Sequence, residues 1–157
     1  MTLAQPEFEL KVLDPRLHEW GLPTFHSEMA AGIDLRACID APLALEPQAP
    51  AAMIPTGIAI LINRPDIVAL VLARSGLGAR QGIVLGQAVG TIDPDYAGPW
   101  IVPLVNRNAP GTPPVVIHPG DRIAQALFLP LIRPRFRVVE EFSAETARGA
   151  GGFGSTG

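Results

Sequence analysis

The stretch TGIAILINRPDIVALVLARSGLG, residues 56–78, carries the pattern that decides the fold. Its two apolar runs, residues 56–62 and 67–73, are rich in Ile, Val and Leu and are separated by Asn-Arg-Pro-Asp. Short apolar runs bounded by such turn residues are typical of β-strands. The second run ends in Arg-Ser-Gly, and we expect one short helix to begin near Ser75.

Similar runs recur along the rest of the chain at short, fairly regular intervals. The predicted strands cover residues 8–13, 33–39, 56–62, 67–73, 101–106, 115–118, 123–132 and 136–139. The 17 Pro and 16 Gly are spread between these runs, as turn residues are. The prolines that lie in or beside the runs favour edge strands and bulges; they are Pro55, Pro65, Pro103 and Pro130. No helix of three turns is indicated, so the pattern predicts an all-β sandwich or jelly roll.

Composition narrows the class of protein further. With 157 residues, 48% of them apolar, the chain is expected to form one globular domain. The apolar pattern stops near Glu141, so we expect a domain over residues 1–140 and an arm over residues 141–157. A net charge of −3 argues against non-specific binding of nucleic acid. Lys11 is the only lysine beside eleven arginines, which fits either planar recognition of phosphates and carboxylates or a high-GC genome.

The cysteine count and the first ten residues indicate the compartment. Cys38 is the only cysteine, so no intramolecular disulfide is expected, and its apolar surroundings predict a buried, inert thiol. Glu7 and Glu9 argue against a signal peptide, and no apolar stretch reaches the length of a membrane span. We therefore expect a cytoplasmic protein with no membrane association.

The last ten residues, RGAGGFGSTG, combine groups that bind phosphate with one aromatic ring. Arg148 supplies a cation, Ser155 and Thr156 supply hydroxyls, and the glycines leave backbone N–H groups uncovered. Phe153 adds a flat apolar surface. This set suits a ligand with a base at one end and phosphates at the other. The alternative is a frayed, Gly-rich terminus.

Residues 74–78, Arg-Ser-Gly-Leu-Gly, follow a predicted strand and open the predicted helix. Ser75 is expected to cap that helix, its first N–H groups would face outward, and Arg74 would add a fixed charge. Such an arrangement binds anions. The alternative is a simple turn.

Residues 90–98, GTIDPDYAG, outline a hairpin with two carboxylates at its tip. Thr91 and Ile92 lead into the turn, and Tyr96 leads out of it. An aspartate is ionised at neutral pH, so Asp93 could accept a proton from water, or it could cap the turn. For Asp95 we expect the capping role.

Two further polar residues lie inside apolar runs. Gln125, in the segment GDRIAQALF, needs a hydrogen-bond partner wherever it is buried, either a backbone group or a ligand phosphate. Asp34, in AGIDLRA, is expected to form an ion pair with an arginine.

Taken in order, five segments resemble the five motifs of the trimeric deoxyuridine triphosphatase family. They are AGIDLRA, ARSGLG, GTIDPDYAG, GDRIAQALF and RGAGGFGSTG, and the resemblance runs from about Met29 to Gly157. It implies a distorted, β-clip-like jelly roll and a homotrimer with active sites shared between subunits. It also implies hydrolysis of dUTP to dUMP and pyrophosphate, which lowers dUTP and supplies dUMP for thymidylate synthesis.

The resemblance also implies roles for individual residues. Asp93 would be the general base, with Gln125 and Ser75 as further catalytic residues. Tyr96 would pack on the deoxyribose and exclude a 2′-hydroxyl, and the backbone near Gly90 and Ile92 would read the uracil edge. The implied substrate-binding set is Arg74, Ser75, Gly76, Gln87, Gly90, Thr91, Ile92, Asp93, Tyr96, Gln125, Arg148, Phe153, Gly154, Ser155 and Thr156.

Within that set, Arg74 and Ser75 would hold phosphates while Gly76 lets the backbone approach them. Gln125 would bind near the α-phosphate. The γ-phosphate would lie against Arg148, Ser155 and Thr156, and Phe153 would close over the uracil ring.

The expected cofactor is Mg²⁺, held by substrate phosphates and water rather than by protein ligands. The three histidines, His18, His26 and His118, are scattered and show no metal-ligand spacing. Asp34 would orient an arginine or a magnesium-bound water.

Two other functions fit the same fold. A deoxycytidine triphosphate deaminase needs a proton-shuttling Glu after the hairpin, where this chain has Pro103. A nucleotide-sensing module without catalysis would have no need of Asp93, Tyr96, Gln125 and Arg148 together.

Overall fold

Short β-strands joined by turns make up nearly all of the regular structure in this computed structural model, which describes residues 6–151. The elements are β1 (Glu9–Val12), α1 (Leu17–Trp20), β2 (Ile33–Arg36), β3 (Leu43–Leu45), β4 (Ala52–Pro55), β5 (Ile58–Leu61), β6 (Ile67–Ala73), α2 (Ser75–Gln81), β7 (Ile83–Leu85), β8 (Gly90–Ile92), β9 (Ile101–Asn106), β10 (Val115–Ile117) and β11 (Arg122–Pro130).

The strands pair in four antiparallel sheets. The largest has the order β2-β11-β6-β8, a second has the order β4-β9-β7, and two-stranded pairs join β1 to β5 and β3 to β10. β6 and β11 form the longest ladder, with seven residue pairs from Ala73↔Ala124 to Ile67↔Pro130. Most neighbours in a sheet are distant in sequence, as in a jelly roll.

The core lies between the sheets and is built by alternation along each strand. In β9, Val102, Leu104 and Asn106 are buried, while the residues between them are at least partly exposed. Trp100 is the largest fully buried side chain. The buried polar group of Asn106 is satisfied, because its Nδ2 donates to the Leu45 carbonyl at 2.9 Å.

Several predicted elements agree closely with the structure. β6 and β9 have the predicted bounds, and α2 begins at Ser75 as expected. β1, β2, β5 and β10 lie inside longer predicted runs, and β11 begins one residue before its predicted start. The sequence analysis missed α1, β3, β4 and β7, which have three or four residues each and are too short for a periodic pattern.

Two expectations about strands were wrong. Residues 136–139 form no strand, and Phe136 and Val138 are 90% and 97% exposed. Pro103 lies in β9, a central strand, rather than at an edge. Its carbonyl accepts a hydrogen bond from the Gly86 N–H at 2.9 Å, so the proline nitrogen faces the chain just beyond the end of β7.

A local ion pair anchors the first helix. Arg16 donates to both carboxylate oxygens of Asp14, through Nε at 3.0 Å to Oδ1 and through the terminal nitrogen NH2 at 2.6 Å to Oδ2. This guanidinium lowers the pKa of the Asp14 carboxyl. Gly57, at φ +71°, packs here, since a Cβ on it would lie 2.5 Å from the Cys38 sulfur. Glycine is therefore required at this contact.

The structure buries Cys38, as the sequence predicted, and burial raises the pKa of its thiol to about 11. No helix within residues 6–151 is long and apolar enough to span a membrane. The cytoplasmic location stays a prediction.

We expect the Cys38 thiol to be unreactive in the folded protein. Because the thiolate is the reactive form, alkylation at pH 8 should be at least about a hundredfold slower than in denaturant, where the pKa returns to about 8.5. Mass spectrometry of iodoacetamide-treated samples measures both rates. Equal rates in the two conditions would contradict the burial of this side chain.

Candidate functional site

Most of the predicted site residues that the structure describes lie in or beside two groups of side chains, near opposite ends of β6. One group, called here the arginine cluster, consists of Asp34, Arg74, Arg122 and His26. The other, called the turn cleft, is lined by Thr91, Ile92, Asp93, Tyr96, Pro99, Trp100 and Ile101.

The arginine cluster forms where β2, β11 and β6 lie side by side. The Asp34 side chain, 15% exposed, is contacted by three cationic or ionisable side chains. Arg74 Nε lies 2.9 Å from its Oδ1, while the NH1 nitrogen of Arg122 and His26 Nε2 lie 3.1 Å and 3.0 Å from its Oδ2. The expected ion pair of Asp34 with an arginine is therefore present, and with two arginines rather than one.

Gln125 lies beside this cluster because β11 pairs it with Asp34 on one side and Leu72 on the other. Its Nε2 donates to the Ala73 carbonyl at 3.1 Å. The backbone partner considered from the sequence is thus present. The side chain is only partly buried.

Ser75 is the first residue of α2 rather than its cap. The N-cap position is held by Arg74, and no side chain caps this end, so the capping role predicted for Ser75 was wrong. The first hydrogen bond of the helix runs from Gly78 N–H to the Arg74 carbonyl at 2.9 Å, which leaves the preceding N–H groups without a helical partner. A Cβ on Gly76 would meet nothing within 4 Å, so packing does not require glycine there.

The turn cleft is a cavity of about 210 Å³ beside the tip of β8. A hydrogen bond from the Tyr96 N–H to the Asp93 carbonyl, at 3.1 Å, closes the turn. The Tyr96 hydroxyl donates to the Pro99 carbonyl at 3.0 Å, which fixes the ring against Gly98. Trp100 also lines the cleft, and its buried Nε1 has no partner within the described residues.

The two strands of the predicted hairpin do not pair with each other. β8 pairs with β6, whereas β9 pairs with β4 and β7, because the chain crosses between sheets after Tyr96. β8 is therefore an edge strand with backbone groups free on its outer side. Asp93 and Asp95 are both exposed, and neither carboxylate forms a side-chain hydrogen bond or ion pair within residues 6–151, so no capping bond is seen for either.

The loop before β8 brings Gln87 against the strand. A Cβ added at Gly90 would lie 3.2 Å from the Gln87 Nε2 and 3.2 Å from the Val71 Cβ. Any side chain at Gly90 would therefore crowd Gln87 and Val71. Ala88 holds a φ of +66°, an unusual conformation for a residue with a side chain. The backbone is thus bent tightly where the sequence predicts a base to be read.

The register of β6 separates the two groups within one chain. β8 pairs Ile92 with Ala69, so Asp93 follows at the level of Val68, six residues before Arg74. Six residues of extended chain span about 20 Å. The turn cleft is also smaller than the roughly 300–1,000 Å³ of complete small-molecule sites. The turn cleft by itself is therefore too small to hold an entire nucleoside triphosphate, and Arg74 and Arg122 line a different cavity of about 390 Å³.

Only residues 141–151 of the arm lie within the described part of the chain. Arg148 Nε donates to the Gly151 carbonyl at 2.8 Å within its own exposed turn. Phe153, Gly154, Ser155 and Thr156 lie outside the described residues, so their predicted contacts remain predictions.

Sequence reasoning missed two members of the arginine cluster. Arg122 stands in the segment GDRIAQALF without a predicted role, and His26 is one of three histidines scattered along the sequence. Arg122 could have been found from a correct pairing of β2 with β11. No local signal identifies His26, because a long-range contact alone brings it to Asp34.

Comparison with known proteins gives a consistent result over the whole chain. A family model described as dUTPase matches residues 18–157. A deoxyuridine 5′-triphosphate nucleotidohydrolase of Xylella fastidiosa (strain M12) is 51% identical over 158 residues, covering 100% of this chain and 99% of that protein. A protein of the same name from Coxiella burnetii (strain Dugway 5J108-111) is 51% identical over 150 residues, covering 95% of each.

Solved structures agree. The dUTPase of Staphylococcus bacteriophage 80alpha, solved with dUPNHPP, has a TM-score of 0.82 at 25% identity, covering 98% of this chain and 99% of that chain. A mutant dUTPase from phage phi11 of S. aureus, described with the coordination of a structural Mg(II) ion, has a TM-score of 0.73 at 23% identity, covering 88% of this chain and 99% of that chain. The predicted all-β jelly roll is confirmed.

The contact between Tyr96 and Gly98 can be tested by Gly98→Ala. The new Cβ would lie 2.5 Å from the Tyr96 hydroxyl oxygen, so the ring must move and its bond to the Pro99 carbonyl must break. Tyr96 is the only tyrosine, so the tyrosine doublet in the Raman spectrum reports on this hydroxyl alone, and we expect it to change. Gly76→Ala, whose Cβ meets nothing within 4 Å, is the matched control. An unchanged doublet in Gly98→Ala would refute the described packing.

Proposed function

The chain belongs to the dUTPase family, and we propose that it hydrolyses dUTP to dUMP and pyrophosphate with Asp93 as the general base. In this reaction a water oxygen bonds to the α-phosphorus while the bond from that phosphorus to the oxygen bridging to the β-phosphate breaks. The water proton goes to the Asp93 carboxylate, and pyrophosphate leaves with the bridging oxygen.

The observation that carries the assignment of roles is the turn cleft. Asp93 and Tyr96 line one cavity beside the free edge of β8. An exposed carboxylate with no ion pair among the described residues is free to accept a proton from water. The outer backbone groups of Gly90 and Ile92 can read the edge of a pyrimidine, and the Tyr96 ring, fixed by its bond to Pro99, can pack against a deoxyribose.

The arginine cluster and the residues beside it supply a cation and hydrogen-bond donors for the phosphates. Charge develops on the transferred and leaving oxygens of a phosphoryl group, and nearby cations and donors stabilise it. Arg74 offers the cation, Ser75 offers an exposed hydroxyl, and Gln125 offers an amide close by. The open space in front of Gly76 leaves room for a phosphate against the backbone.

We propose that a complete site needs more than one copy of the chain. Asp93 and Arg74 lie about 20 Å apart along β6, too far to act together on one α-phosphate. A neighbouring subunit that places its arginine cluster beside this turn cleft would unite them. This supports the homotrimer with shared active sites that the family resemblance implies.

The segment that follows β11 gives further support for such an assembly. Residues 131–151 carry no strand or helix, and four large apolar side chains stand almost fully exposed there: Ile132, Phe136, Val138 and Phe142. Isolated chains rarely expose so much apolar surface. We propose that the arm, residues 141–157, extends over a neighbour's site, with Phe153 over the base and Arg148, Gly154, Ser155 and Thr156 at the phosphates.

Magnesium fits this site as an ion held by the substrate. Within the described residues no group of three His, Cys, Asp or Glu side chains could hold a metal. Asp34 is already contacted by Arg74, Arg122 and His26, so its role is to orient an arginine rather than to bind a metal directly. When bound through phosphates and water, Mg²⁺ neutralises triphosphate charge. We place this activity in the cytoplasm.

The deaminase alternative is not supported by the residue after the turn. Pro103 stands in the middle of β9 and has no group that could shuttle a proton. A sensing module without catalysis has no need of a carboxylate such as Asp93, placed to accept a proton beside the bound nucleotide.

We expect Asp93→Asn to bind dUTP but to hydrolyse it about 10²- to 10⁴-fold more slowly, the usual contribution of a general base. Asp95→Asn, a matched change of the neighbouring exposed carboxylate, should keep most of the activity. The measurement resolves nucleotide products and pyrophosphate with Mg²⁺ and dUTP, dCTP, dTTP or UTP. Normal turnover in Asp93→Asn would show that Asp93 is not the general base. Deamination of dCTP by the unsubstituted chain would favour the deaminase instead.

We expect deletion of residues 148–157 to leave a folded homotrimer with severely reduced turnover, because the segment has no core of its own. Analytical ultracentrifugation gives the oligomeric state, and the product assay gives the rate. Deletion of residues 131–157 should in addition weaken the trimer, since it removes the exposed apolar side chains. An unfolded protein after the shorter deletion would show that the last ten residues are structural.

A further inference from the structure

We propose that His26 is a positioning residue that keeps the Arg74 guanidinium available to substrate phosphates by occupying one oxygen of Asp34. This inference rests on the proposed role of Arg74 in phosphate binding. His26 lies in the irregular segment between α1 and β2, outside all five of the sequence motifs.

Arginine–aspartate pairs elsewhere in this chain form a two-point fork. Arg16 contacts Asp14 through Nε to Oδ1 at 3.0 Å and NH2 to Oδ2 at 2.6 Å. Arg64 contacts Asp66 in the same way, at 2.9 Å and 2.7 Å. This is the geometry that a guanidinium and a carboxylate prefer.

Arg74 and Asp34 do not complete that fork. Arg74 Nε lies 2.9 Å from Oδ1, but no hydrogen bond joins the Arg74 terminal nitrogen NH2 to Oδ2. The other terminal nitrogen, NH1, donates to the Arg122 carbonyl at 3.3 Å. Arg74 thus keeps a terminal nitrogen without a partner among the described residues.

The missing contact has a direct explanation in the occupancy of Oδ2. A carboxylate oxygen has two lone pairs, and Arg122 and His26 lie 3.1 Å and 3.0 Å from this one. With both nitrogens this close to Oδ2, a further nitrogen from Arg74 has little room there. Removing the imidazole would free space at Oδ2, and the Arg74 fork could then close on Asp34 as Arg16 closes on Asp14.

A closed fork would turn the free nitrogen of Arg74 away from the phosphate space beside Gly76. His26 would therefore act on substrate binding without touching substrate. His26 is also the one side chain of residues 22–31 that contacts an ionisable side chain of opposite type within the described chain. Loss of a merely structural tether would change stability, whereas loss of the proposed function changes affinity through Arg74.

The test compares His26→Ala with His26→Gln, whose amide nitrogen can reach the position of the imidazole Nε2. Binding of the non-hydrolysable analogue dUPNHPP is measured by calorimetry on the full chain, with kcat and KM for dUTP measured in parallel. We expect His26→Ala to bind about tenfold more weakly, as for the loss of one charged hydrogen bond. We expect KM to rise more than kcat falls and His26→Gln to recover most of the affinity.

Arg74→Lys provides the decisive background, because a single ammonium cannot form the two-point fork. In the Arg74→Lys background, adding His26→Ala should not weaken dUPNHPP binding beyond the effect of Arg74→Lys alone. Unchanged affinity in His26→Ala, or the same loss in the Arg74→Lys background, would overturn the inference while leaving dUTP hydrolysis by the unsubstituted chain intact. Absence of that hydrolysis would instead overturn the proposed function.

Discussion

Antiparallel pairing of β6 with β11 is the constraint on which both halves of the site depend. On the far side of β11, β2 brings Asp34 opposite Gln125, and the end of β6 places Arg74 beside them. On the far side of β6, β8 carries Asp93 toward the other end of the same strand. Because side chains alternate with a period of two, a slip of one residue would turn Gln125 to the opposite face.

The chain uses arginine–carboxylate pairs in two different ways. The Arg16–Asp14 and Arg64–Asp66 pairs are local, two residues apart, and close into forks. In both pairs the arginine lowers the pKa of the carboxyl. The Asp34 carboxylate is instead shared among side chains from different parts of the chain. Sharing leaves Arg74 only partly satisfied, which suits a residue that must also meet a phosphate.

Under the proposed function, a single chain of this protein is incomplete in two separate respects. Its turn cleft and its arginine cluster are too far apart for one α-phosphate, and the segment after β11 exposes large apolar side chains such as Phe136 and Phe142. One arrangement of identical subunits would resolve both, because an arm that packs on a neighbour also carries its last residues toward the neighbour's site. In this proposal, the same assembly of subunits both covers the exposed apolar side chains and completes the catalytic site.

The sequence by itself determined the strands whose signal is local, the start of α2 and the five motifs. β6 and β9 were found at their true bounds because seven and six residues suffice to show an apolar pattern between turn residues. Tertiary structure alone decided which strands pair, since the choice of β6 rather than β9 as the partner of β8 depends on residues far apart in sequence. It also decided that Ser75 does not cap α2, that residues 136–139 find no partner strand in one chain, and that His26 meets Asp34. Local propensity acts over a few residues, whereas these outcomes depend on contacts that exist only once the chain has closed on itself.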